Sequence, residues 1–172
     1  IISPSDPIQV KKAIEYAIQS KNPTYIRISR SGEPILFSED IDITKPLYLK
    51  QGTEKALIFH GSIVDEVLEA STLLDDVSII SFAMIAPLDA EAIIELCSSY
   101  NTIYVVEEHF KDGGLGTIFS DFIVQHSLEV KLIKIGIKNH YIHEIGDCSY
   151  LRERFQISSK DIIKIVQGSE NE

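Results

Sequence analysis

Apolar and polar positions follow two different periods along this chain. Asp6-Pro7 opens a helix, with Asp6 placed to cap it and Pro7 suited to the first helical position, where no amide hydrogen is needed. Ile8, Ala13, Ile14, Ala17 and Ile18 then recur at helical spacing to about Ser20. Lys21-Asn22-Pro23 ends that helix, and Thr24 to Ile28 reads as a strand. One helix and one strand are too little to fold alone. From Ser31 to Thr53 the pattern breaks. Gly32, Pro34, Pro46 and Gly52 alternate with Glu39, Asp40 and Asp42, a connector with short extended pieces and the place for a domain boundary.

Regular alternation resumes at Glu54. Strands are expected at Ala56–Phe59, Val77–Ser81, Ile103–Val106 and Val130–Ile135. Helices are expected between them: one capped by Ser62 and carrying Val64, Val67, Leu68, Leu73 and Leu74, and one capped by Asp89 with Ala92, Ile93, Leu96 and Cys97 inward. A third runs from Leu115 to about His126 with Ile118, Phe119, Phe122 and Ile123, and a last one, opened by a Ser158/Asp161 capping box, runs through Val166. The acidic end from Glu170 is expected to fray. Strands alternating with helices predict an α/β fold, three layers αβα around a mostly parallel or mixed sheet.

Composition narrows the setting. The 172 residues carry 16 Lys+Arg against 26 Asp+Glu, a net charge of −10, with no basic patch in sequence. Nucleic acid and anionic membrane surfaces are therefore not expected partners, and an anionic substrate would have to be met by specific cations. Cys97 and Cys148 lie far apart in no metal or redox spacing, so a reducing cytoplasm is the expected compartment. The chain opens Ile-Ile-Ser-Pro, with no charged leader before an apolar region, so no signal peptide is expected. The missing methionine fits a piece of a longer polypeptide, and processing could also remove it.

The richest stretch is Ile103 to Gly116. A β-branched run stops at Glu107, Glu108 and His109, and Gly113-Gly114-Leu115-Gly116 leads into a helix. Open parallel sheets present ligands at this edge. A carboxylate beside an imidazole can do acid–base work, or the three can be helix-cap and interface groups favoured by the helix dipole. The glycines can form a nest of amides for phosphate, or a tight turn that lets the helix approach the sheet. His60, in the turn Phe59–Ser62, can reach a ligand or simply face solvent. His140 and His143 fall in a loop-like stretch with no metal-ligand geometry. Arg27 and Arg30 lie in or just past the Thr24–Ile28 strand. Arg30, beside Ser29 and Ser31-Gly32, can grip a phosphate or carboxylate bidentately, or form a surface ion pair. No nucleophile–base pair stands out, so no catalytic or metal-ligating residue is assigned.

Several segments in order resemble transketolase-like enzymes. Pro4-Ser5-Asp6 with its helix, followed by Asn22 to Arg30, resembles the end of that family's pyrimidine-binding domain. Ala56 to Ser62, Ile85-Ala86-Pro87-Leu88-Asp89 (alanine replacing the usual lysine), Val106 to His109 with Gly113 to Gly116, Ile135-Gly136-Ile137 and Tyr150-Leu151 resemble its carboxy-terminal domain. The resemblance implies a tail of the pyrimidine domain plus linker over 1–45 and a transketolase C-terminal-type domain over 46–172. It implies a parent enzyme that uses thiamine diphosphate and magnesium to move a two-carbon ketol unit between sugar phosphates. Arg30, with Arg27 near it, matches the substrate-phosphate contact, and the Glu107–Gly116 edge matches dimer contacts. Other parents in view are a deoxyxylulose-phosphate synthase and the beta chain of a 2-oxo acid dehydrogenase. A free-standing dimerisation or ligand-binding module is the non-enzyme alternative. The family's Gly-Asp-Gly motif and its cofactor-activating glutamate are absent from the sequence. No cofactor is therefore expected on this chain alone, which is expected to be inactive without upstream domains or a separate subunit.

Overall fold

Asp6 caps the first helix, α1 (Pro7–Ser20), by accepting the Gln9 amide at 2.7 Å, as the sequence leads one to expect. The structure is a computed structural model that describes residues 1–30 and 32–168. After α1 come β1 (Leu47–Lys50), β2 (Lys55–Phe59), a 3₁₀ turn (Gly61–Ile63) and α2 (Val64–Ser71). They are followed by β3 (Val77–Ser81), α3 (Ala90–Ser99), β4 (Thr102–Phe110), α4 (Leu115–His126), β5 (Lys131–Ile137), α5 (Cys148–Arg154) and α6 (Ser159–Gly168).

Among the described residues the strands form one sheet in the order β1-β3-β2-β4-β5. β2, β3, β4 and β5 run parallel, and β1 pairs antiparallel with β3 at the edge. The two-residue period of each strand divides the core. Leu57, Phe59, Ile79, Tyr104 and Val106 face α2 and α6, while Ala56, Ile58, Ile80, Ile103 and Val105 face α3 and α4. The fold is therefore the three-layer α/β arrangement with a mixed, mostly parallel sheet. A third, smaller apolar cluster joins Ile2, Ala13, Ile43, Ala83 and Met84. No helix among the described residues is long and apolar enough to cross a membrane.

Four local expectations need correction. Thr24–Ile28 is not a strand; Ile26 makes a single bridge with Ile2, whose amide and carbonyl bond Tyr25 and Arg27. A ladder needs a neighbour of matching length, and Ile2 is followed at once by Ser3-Pro4, which turns into α1. One of the short extended pieces expected in the connector is an edge strand, β1, with Leu49 packed inward just after Pro46. β4 does not stop at Val106 but continues to Phe110, so Glu107, Glu108 and His109 sit on the strand. Ser62 does not cap a helix, because its hydroxyl bonds the Glu108 carboxylate at 2.8 Å, and α2 starts without a side-chain cap. α5, between β5 and α6, has no counterpart in the sequence reading; Asp147 caps it through the Tyr150 amide at 2.8 Å. The Asp89 cap and the Ser158/Asp161 box are present. The end from Glu170 lies outside the described residues, as does the Ser31 hydroxyl.

Candidate functional site

Past the carboxyl ends of β2 and β4 the chain's amino-terminal segment lies across the sheet. The Ser3 amide bonds the Ala83 carbonyl at 2.8 Å, and the Gly61 amide bonds the Ser3 carbonyl at 3.2 Å. Between this segment and the strand ends opens a groove of about 550 Å³ with Ile1, Ile85, Phe110 and Ile137 among its apolar walls. Open α/β sheets place ligands at this position.

Glu107 organises the groove's inner wall. It is completely buried. Its two carboxylate oxygens accept the Leu115 amide at 2.9 Å and the Gly116 amide at 3.0 Å, two of the orphan donors that open α4. Gly113 makes the turn into this helix at φ +83°, a conformation that favours glycine. Gly114 makes the close approach possible, since a Cβ there would stand 2.0 Å from Oε2 of Glu107. Burial alone pushes the Glu107 carboxyl up, but the His60 contact and the two amides outweigh it and hold it below the usual glutamate range.

His60 continues the chain of contacts. It is buried, with Nε2 3.5 Å from Glu107 and Nδ1 2.9 Å from the Ser3 hydroxyl. A carboxylate can only accept, so the neutral ring carries its proton on Nε2 and Ser3 donates to Nδ1. The solvent-facing reading of this turn histidine is thus overturned. Ser3 is itself buried and the ring nitrogens are both engaged, so the row is a structural tie between residues 3, 60 and 107.

Glu108 points to the other face of β4. Its carboxylate accepts from Ser62 and, at 2.9 Å, from the buried Arg152 of α5, which also lies 3.6 Å from Glu66. The Glu108 backbone carbonyl accepts the exposed Arg27 guanidinium at 3.1 Å. His109, half-buried, bonds the Phe110 carbonyl through Nδ1 at 2.8 Å.

The groove therefore brings together Arg27, Glu107, Glu108, His109, Gly113 and Gly114. Arg30 is exposed and is not part of its lining, and Gly116 lies under the Lys134 stem. Sequence reasoning missed Ser3 and Arg152 and undervalued His60. Arg152 had no local signal, because both of its carboxylate partners are distant in sequence.

The transketolase C-terminal domain family matches residues 45–162. The chain belongs to that family. It is 28% identical to a subunit of the apulose-4-phosphate transketolase of Actinobacillus succinogenes, over 96% of this chain and 55% of that protein. It is 25% identical to the 1-deoxy-D-xylulose-5-phosphate synthase of Nitrosomonas eutropha, over 97% of this chain and 28% of the relative. A solved split-gene transketolase, described as an inactive beta4 tetramer, superposes with a TM-score of 0.87 at 25% identity, over 97% of this chain and 56% of that one. A transketolase from Leishmania mexicana, 16% identical with a TM-score of 0.68, shares the fold. The chain spans about half the length of the apulose-4-phosphate transketolase relative and little more than a quarter of the synthase.

The residues of this transketolase C-terminal domain do not suit the thiamine diphosphate that the resemblance implies. The amides that could cradle a diphosphate at the start of α4 are taken by Glu107, a buried anion that would repel it. No group of three or more His, Cys, Asp or Glu among the described residues could hold the accompanying metal. The arrangement suits anchoring and docking, with a polar rim at Arg27 and His109 and an apolar floor.

Proposed function

We propose that this chain is the carboxy-terminal part of a transketolase-type enzyme that transfers a two-carbon ketol unit between sugar phosphates. The observation that carries this reading is the groove at the strand ends, apolar in its walls and rimmed by Arg27, in a chain of this family. Residues 1–45 are the tail of the preceding pyrimidine-binding domain and its linker, and 46–172 the carboxy-terminal domain. The two parts are packed together, because the small cluster around Ile2, Ala13 and Ile43 also takes in Ala83 and Met84. Thiamine diphosphate and magnesium belong to upstream domains or a separate subunit, and the chain alone is inactive. Calorimetric titration with cofactor and magnesium should give no saturable heat, and micromolar binding by this chain would overturn the division of labour. A deoxyxylulose-phosphate synthase is the second reading, favoured by the relative from Nitrosomonas eutropha.

Arg30 and Arg27 supply the substrate-phosphate contact of the assembled enzyme. Arg30→Ala there should raise KM for phosphorylated sugars about ten- to a hundredfold, the worth of one charge-assisted hydrogen bond. KM for unphosphorylated sugars should hardly move, and equal effects on both would remove Arg30 from the site.

The same edge carries assembly. Ile1, Tyr25 and Ile142 are exposed around the groove, and Ile14 and Ile18 are exposed on α1. A second copy covering the edge near Glu107–Gly116 would bury the three around the groove. Sedimentation equilibrium should show a concentration-dependent dimer, with a contact near the standard total of about 1,600 Å². A strict monomer at millimolar concentration would sink this part of the reading.

A further inference from the structure

Beyond the groove, a second cleft of about 290 Å³ lies past the carboxyl end of β5, and no residue of the groove lines it. We infer that this cleft binds a phosphoryl group, either free phosphate or the end of a small phosphate ester. Three permanent cations converge there: Lys111 just after β4, Lys138 just after β5, and Arg154 at the end of α5. His140 joins them, its Nδ1 held by the Lys138 carbonyl at 2.7 Å. Such a gathering is unexpected by chance in a chain of net charge −10.

One carboxylate answers the three cations. Glu144 approaches Arg154 at 3.2 Å with one oxygen, while the other accepts the His143 amide at 3.1 Å. Among the described residues, Lys111 and Lys138 have no carboxylate within salt-bridge distance. The cleft thus holds more positive charge than its own residues neutralise. A dianion would meet both amines and take the planar fork of Arg154 bidentately, displacing Glu144. Lys111 is seated for this role, because its stem passes 3.4 Å from where a Cβ of Gly136 would stand.

The rest of the wall is mostly apolar, with Gln156 as its further polar side chain. Phe155 and Ile165 line the cleft, and the Phe155 ring centre lies 5.9 Å from that of His140. A cleft at the small end of the usual range of about 300–1,000 Å³ suits a phosphate with a short carbon body. The inference is independent of the ketol-transfer reading, since it uses neither Arg27, Arg30 nor the groove.

Calorimetric titration of the 172-residue protein at neutral pH, with inorganic phosphate and separately with glycerol 3-phosphate, tests it. Both should give saturable heat. Tighter binding of the ester assigns the site to phosphate esters, and equal or weaker binding assigns it to free phosphate. Lys138→Gln, an exposed change, should weaken binding about tenfold. Glu144→Gln, which removes the resident anion, should tighten it. The absence of saturable heat with both probes overturns the inference. So does an affinity unmoved by Lys138→Gln, or one that is unchanged or weaker in Glu144→Gln.

Discussion

Replacing Glu107 with alanine is expected to cost about 4 kcal/mol of folding stability, measured by urea unfolding. The substitution removes one carboxylate but strands three donors: the Leu115 and Gly116 amides and Nε2 of His60. Leu115 and Gly116 are buried at the start of α4 and His60 is buried at the inner wall of the groove, and an unpaired buried donor costs about 1–3 kcal/mol. Glu107→Gln should cost about half as much, since its one oxygen still serves one amide while its NH2 faces the other. Acid should erase part of the difference. A carboxyl held below its ordinary value adds stability above that value, and this stability is lost as pH falls through the lowered one. The gap between wild type and Glu107→Ala should therefore narrow from about pH 4.5 downward. A cost under about 1 kcal/mol at neutral pH would mean that water reaches the helix start and that the latch is ornamental.

Gly114→Ala is expected to cost about 3 kcal/mol, although the backbone there is ordinary at φ −88°. The obstacle is Glu107, whose carboxylate would lie 2.0–2.7 Å from the new methyl group. The end of a glutamate usually swings aside cheaply, but this one is pinned by two amides. The consequence is a sharp non-additivity. In a Glu107→Ala background the three atoms nearest the methyl are gone, so Gly114→Ala should cost under about 1 kcal/mol there. A double-mutant cycle that closes additively would show that the glycine serves some other neighbour.

The parallel framework was legible because its cues are local. Leu57 and Phe59 against Ala56 and Ile58 read directly as two buried faces, and Asp6, Asp89 and Ser158 cap where their chemistry says they should. Leu115 to His126 was likewise readable as a helix. What escaped depends on contacts far apart in the chain. Whether Ser62 caps α2 is decided by Glu108, 46 residues on, which takes its hydroxyl instead. His60 looked like a turn residue because its partners lie 57 residues back and 47 ahead. The Thr24–Ile28 run has strand chemistry but finds only Ile2 to pair with. Ile14 and Ile18 carry the apolar period of a buried helix yet lie exposed, because periodicity says which residues share a face and not what covers it.

The tie from Ser3 through His60 to Glu107 also separates two boundaries that are easily equated. The stretch that family likeness picks out begins at residue 45, but the stretch that must fold together reaches back to Ile2. A chain cut at residue 45 would uncover Ala83 and Met84, leave the Ala83 carbonyl and the Gly61 amide without their partners on Ser3, and free the ring of His60 on one side. The inherited module and the set of residues packed together are here different lengths of the same polypeptide. A recombination point placed by homology alone would therefore cut through these contacts.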